Sequence, residues 1–179
     1  MSFRITEVDF SALLTDLLPL AKQHLRIDFE DDDPLVSQYL GNAIQVVEDV
    51  WGQRINLTKI SWSPLINSVS YSYQIPVQPV SAFEVSSGGV VQPGYSLSFE
   101  SKTGPVYLVK DDKTPWPSDT TVALEAGFGS VSDMPPSCIG PILRVTATLY
   151  EKRETITTPV ILVPYWLNDL LVGNWVPRV

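Results

Sequence analysis

The stretch from Leu17 to Ile55, LLPLAKQHLRIDFEDDDPLVSQYLGNAIQVVEDVWGQRI, constrains the fold more than any other. A short helical piece ends near His24-Leu25-Arg26, and an acidic turn, Glu30 to Asp33, follows it. Asp33 is a good N-cap and Pro34 a good first helical residue. From there Val36, Tyr39 or Leu40, Ala43, Val47 and Val50 or Trp51 recur at three- and four-residue steps. That spacing predicts a helix of about five turns with one buried stripe, and Gly52 is placed to stop it. The acidic turn lies at the positive end of that helix's dipole, where each exposed carboxylate contributes ~0.3–1 kcal/mol.

An earlier helix is expected with Leu17, Leu18, Leu20, Ala21 and Leu25 on its apolar side. Ser11 and Thr15 are both candidate caps. Pro19 fits best in a first turn, so the expected helix runs from Asp16 to Leu25. Residues 1–10 read as an extended arm.

Residues 55–128 change character. Pro, Ser, Gly, Val and Tyr dominate, and alternation replaces helical spacing. Strands are expected at Leu57–Trp62, Ser70–Ile75, Ala82–Val85, Ser96–Phe99, Val106–Val109 and Thr121–Ala126. Turn signals at Ser87-Gly88-Gly89, Pro93-Gly94, Thr103-Gly104-Pro105 and Asp111-Asp112-Lys113 separate them. The spacing suggests a small antiparallel sheet or sandwich. Helical character returns after Met134-Pro135-Pro136, with Ile139, Ile142, Leu143, Thr146, Leu149 and Tyr150 on one face and Glu151 to Glu154 at its end. A last short helix is expected from Pro164, carrying Trp166, Leu167, Leu170 and Leu171 and stopped by Gly173.

The expected class is α+β: a bundle of about four helices with an antiparallel β region inserted between the second and third. The expected organisation is a single domain, 1–179. It comprises an arm (1–10), a helical half (11–54), a β insertion (55–130), a second helical half (135–173) and a tail (174–179).

Function classes narrow by chemistry. The net charge of −8 opposes a DNA-gripping surface, since phosphate binding needs clustered Lys and Arg. An acidic chain can still surround DNA, because repulsion keeps the duplex mobile. One Cys forms no internal disulfide. The N-terminus lacks a signal-peptide pattern, and no apolar run approaches the roughly 20 residues of a membrane span. The expectation is a soluble chain made in a cytoplasm.

His24 is the only histidine, so any Ser-His-Asp or Cys-His arrangement must use it, and it sits at a helix end where a cation has an ordinary electrostatic role. Cys138 at a helix start could carry a lowered pKa; a small buried thiol is the plainer reading. Glu30 to Asp33 lacks the spacing of a calcium loop and reads as a solvated helix entry, with a weak divalent-ion or subunit-contact site as the alternative. The glycines form no phosphate loop. Trp116 between Pro115 and Pro117 reads as a plug at the edge of its own sheet, and less readily as a glycan or peptide platform. No enzyme signature, metal site or cofactor site emerges.

The same residues resemble a known family. Lys22 to Asp28, then Asp31-Asp32-Asp33 with Leu35, then a helix ending Val47-Glu48 and Trp51-Gly52-Gln53-Arg54, resemble tailed-bacteriophage head–tail connector (adaptor) proteins of the type with a β insertion between helical halves. Pro76 to Val85, Ala126 to Gly129 followed by Met134-Pro135, Leu143 to Glu154, and Pro164 to Leu171 follow the family's order. The C-terminus departs from it: relatives often carry Pro-x-Arg just after the last helix, whereas here Gly173-Asn-Trp-Val precedes Pro177-Arg178.

The resemblance implies a non-enzymatic virion protein of the neck, assembled in the host cytoplasm. It would form a ring, typically of twelve copies, beneath the portal protein. The ring would extend the channel for double-stranded DNA and meet a tail terminator or stopper protein. Asp31, Asp32, Lys152, Arg153, Trp166, Trp175 and Arg178 are the candidate subunit or portal contacts. The competing reading is a binding module in which Tyr71, Tyr73, Tyr95 and Trp116 recognise a glycan or protein.

Overall fold

The computed structural model describes residues 2–99 and 104–152. These form two compact units, one built mainly from helices and one from strands.

Among the described residues the helical unit comprises 9–56 and 128–152. Its helices are α1 (Ser11–Leu25), α2 (Asp33–Trp51) and α3 (Pro136–Glu151). On α1, Leu13, Leu17 and Ala21 are buried at four-residue steps. On α2 the expected stripe is buried: Val36, Tyr39, Leu40, Ala43, Val47 and Trp51. Ile142 and Val145 of α3 complete a core that also holds Ile44, Ile55, Met134 and Cys138.

The ends of α2 follow local chemistry. The N-cap is Asp32 and not the expected Asp33: Asp33 is the first helical residue, Pro34 follows it in the first turn, and the Asp32 side chain makes no capping bond. Gly52 takes the left-handed conformation at φ 75° that a side chain would disfavour. The start of α1 differs from expectation. It begins at Ser11, so Pro19 lies inside the helix and not in its first turn. The Asp9 carboxylate explains the earlier start: it accepts the Ser11 N–H at 2.8 Å and the Ser11 hydroxyl at 2.6 Å. Pro19 is on the exposed side, and the buried positions two residues before and after it stay in register. The three described helices account for both helical halves up to Glu151; the expected helix at Pro164 lies outside the described residues.

The β unit comprises residues 2–8 and Leu57–Gly127. Its strands are β1 (Ser2–Asp9), β2 (Leu57–Ser63), β3 (Ser72–Gln74), β4 (Val80–Ser87), β5 (Val90–Val91), β6 (Tyr95–Phe99), β7 (Val106–Lys110) and β8 (Thr120–Ala126). They make a five-stranded sheet in the order β1-β2-β8-β4-β5 and a three-stranded sheet in the order β3-β7-β6. β8 pairs antiparallel with both β2 and β4, bringing Ile60 and Phe83 to either side of Leu124. Strand alternation sends Thr120, Val122, Leu124 and Ala126 inward. Ile60, Trp62 and Val85 join them from the larger sheet, and Val106 and Leu108 from the smaller, so one core lies between the sheets. The six expected strands are all present, with ends shifted by a few residues. β5 was not expected; it is two exposed valines after the Gly88-Gly89 turn.

The expected arm is also a strand. β1 is extended, as read, and it is hydrogen-bonded along β2 at the end of the larger sheet. Lys59 of β2 bridges to Glu7 at 2.9 Å, and the Thr6 hydroxyl donates to the Lys59 carbonyl at 3.0 Å.

Candidate functional site

The acidic turn and the end of α3 come together in the helical unit. The Tyr150 hydroxyl, in the last turn of α3, donates to the Asp32 carboxylate at the α2 entry. The Tyr150 ring also meets Tyr39 edge to face, with centroids 6.4 Å apart. Asp33 forms an ion pair at 2.6 Å with Lys22 in the last turn of α1. The four-carboxylate run is therefore divided by role. Asp32 and Asp33 bind α3 and α1, while Glu30 and Asp31 face solvent.

Of the candidate contact residues, Asp31 and Lys152 are exposed and Asp32 is half-buried. Lys152 caps the C-terminus of α3, two residues beyond Tyr150. Arg153, Trp166, Trp175 and Arg178 lie outside the described residues. Among the described residues no three of His, Cys, Asp and Glu are grouped to hold a metal ion. No described helix is long and apolar enough to cross a membrane.

The other candidates resolve into structural roles. His24 is exposed near the end of α1. Cys138 is fully buried, and burial pushes its thiol up to about 11, away from the range of a reactive thiolate. Trp116 is only 4% exposed. Its ring makes T-shaped pairs with Tyr73 and Tyr95, centroids 4.9 Å and 5.1 Å apart, and its indole N–H donates to the Tyr71 carbonyl at 2.9 Å. This is the arrangement of a plug: an indole so deeply buried offers no open face on which a sugar could stack. Burial, with the Asp112 charge behind it, raises the Tyr95 phenol above its ordinary range.

Glu48 is a central residue whose role the sequence reading did not assign. Its side chain is buried near the end of α2. One carboxylate oxygen accepts the N–H of Ile55 at 2.7 Å and of Asn56 at 2.9 Å; the other receives Arg54 at 3.2 Å. The signal was present as Glu48 six residues before Arg54 across a Gly stop. A Glu in a helical run ordinarily reads as solvated. The Glu48 clamp holds the chain where it leaves the helical unit. Beside it, the Phe128 N–H donates to the Ile55 carbonyl at 2.9 Å where the chain returns.

The β unit offers a second surface. Thr6, Lys59, Ser61, Ala82, Glu84, Ala123 and Glu125 line a groove of about 470 Å³ across the larger sheet.

No protein-family profile matches the chain, and no curated protein matches it by sequence. Solved structures do match. The chain shares its fold with proteins of gene transfer agent particles. It matches a chain in the neck of an empty GTA particle with C6 symmetry, at TM-score 0.70 and 20% identity. It matches chains in the native gene transfer agent virion and in the native GTA neck with C12 symmetry, each at TM-score 0.73 and 16% identity. Each alignment covers 100% of this chain and 97% of the other. The likeness therefore spans both the helical and β units.

Proposed function

We infer that this chain is a structural subunit of the neck of a tailed-phage-like particle. It assembles as a ring, of twelve copies, between the portal and the tail or stopper protein. The observation that carries this reading is the end-to-end fold match to chains from GTA necks and virions. The C12 and C6 symmetry of those necks supports a ring, because a heterologous contact repeated around one axis closes on itself.

The surface chemistry agrees. A chain of net charge −8 lining a channel repels DNA phosphates and leaves the duplex free to slide. The buried Cys138 and packed Trp116 are accounted for as core. Asp31, Asp32 and Lys152 make the described end of the helical unit a charged surface suited to a subunit or portal contact. Arg153, Trp166, Trp175 and Arg178 are proposed to extend it.

The test is electron microscopy and light scattering of the purified chain, alone and mixed with portal rings. A ring coaxial with the portal is the expected result. A chain that stays monomeric and never binds the portal overturns the reading.

A further inference from the structure

Resting on the ring reading, we propose that the two ends of the five-stranded sheet form one subunit contact, with β1 of one copy adding alongside β4 of the next. The sheet order β1-β2-β8-β4-β5 puts β1 at one end. At the other end β5 covers only Ser86 and Ser87 of β4, with one further bond from Gln92 N–H to the Val85 carbonyl. Among the described residues no strand pairs with that side of β4 between Val80 and Glu84. An open edge presents a row of backbone donors and acceptors, and such edges are templates for another strand.

The two edges differ in length and chemistry in a way that suits head-to-tail pairing. β1 is eight residues long, and every residue except Val8 is exposed. A strand with so little burial adds little to its own core. Phe3 and Ile5, on one face by alternation, remain 41% and 40% exposed. On β4, Phe83 is half-buried and Ala82 and Glu84 are exposed. Arg4 of β1 and Glu84 of β4 supply opposite charges to the two edges. A second copy is therefore the occupant: its Phe3 and Ile5 gain apolar cover, and both sets of backbone groups gain partners. Because the edges are different surfaces, the contact is heterologous and propagates, as a ring requires.

The experiment uses two variants and their mixture. One variant lacks residues 2–8; the other carries Ala82→Pro with Glu84→Lys to block the β4 edge. Circular dichroism checks that each is folded. Each alone is expected to lose ring formation by light scattering while the wild type keeps it. A 1:1 mixture is expected to give dimers only, since the first variant still offers β4 and the second still offers β1. In a second arm, cysteines introduced one at a time along β1 are paired with Ala82→Cys in the same chain. Oxidation of assembled rings should give a ladder of linked subunits. Rings formed normally by the variant lacking residues 2–8, or rings in which no β1 position cross-links to Ala82→Cys, overturn the β1–β4 contact while leaving the ring reading intact. A wild type that forms no ring, alone or on the portal, overturns both.

Discussion

Glu48 Oε1 accepts the backbone N–H of Ile55 at 2.7 Å, seven residues along the chain and across the Gly52 stop of α2. The same oxygen takes the Asn56 N–H, so one carboxylate satisfies two successive buried donors. Such groups are costly to leave without acceptors, because burial has removed their water. Glu48→Ala is expected to lower stability by about 2–4 kcal/mol, from two charge-assisted bonds lost and donors left buried. Glu48→Gln retains an acceptor and should lose less. Urea denaturation of both variants measures the difference; equal, small losses would show that water replaces the carboxylate.

Trp116 anchors the smaller sheet between Tyr73 and Tyr95. Trp116→Ala should cost about 3–5 kcal/mol, the range for a large aromatic removed from a packed core. Trp116→Phe keeps much of the ring contact and loses the bond to the Tyr71 carbonyl, so its cost should be smaller. Thermal unfolding followed by tryptophan fluorescence and circular dichroism reads both. A glycan platform would show the opposite pattern, with stability retained and binding lost.

Tyr150 and Asp32 link the end of α3 to the entry of α2. Tyr150→Phe deletes the hydroxyl while keeping the ring against Tyr39, and should cost about 0.5–3 kcal/mol for a bond to a partly buried carboxylate. A double-mutant cycle with Asp32→Asn isolates the pair from the other interactions of Asp32. A coupling energy near zero would mean that the two residues merely sit close together.

Cys138 gives a pH prediction. Burial pushes its thiol up to about 11 in the folded chain, from an ordinary value of 9.0. The neutral form is the one the core accommodates, and the unfolded chain releases its proton first. The stability contribution is thus fully present below about pH 9 and is lost as pH rises towards 11. Iodoacetamide should modify Cys138 slowly in the native protein at pH 8 and rapidly in denaturant. Comparable rates in the two states would show that the site opens often.

The second helix was legible from local rules. Pro34 in its first turn, the stripe from Val36 to Trp51 and Gly52 at its stop all act within a few residues; the stripe and the stop stand where their spacing placed them, and the N-cap falls one residue earlier, at Asp32. The core strands were legible for the same reason: alternation along β2 and β8 marks Ile60, Trp62, Val122 and Leu124 as inward. The start of α1 was misread because Pro19 suggested a boundary locally, while the Asp9 carboxylate and the core under Leu13 and Leu17 carry the helix through it. β1 was read only as extended, since a strand exposed along nearly its whole length shows no burial pattern.

The sequence by itself determined the order of helical and β segments, the glycine stop of α2 and the inward faces of the central strands. Those properties depend on neighbours three or four positions apart in helices and two apart in strands. The tertiary structure alone decided that β1, from the N-terminus, joins β2 beyond the helices, that β8 lies between β2 and β4, and that Asp32 meets Tyr150. It also decided that Glu48 is a buried clamp. These are pairings between residues distant in the chain, or environments made by the packed core. No local periodicity encodes which distant partner completes a hydrogen bond; that choice is made when backbone groups and apolar faces are buried together.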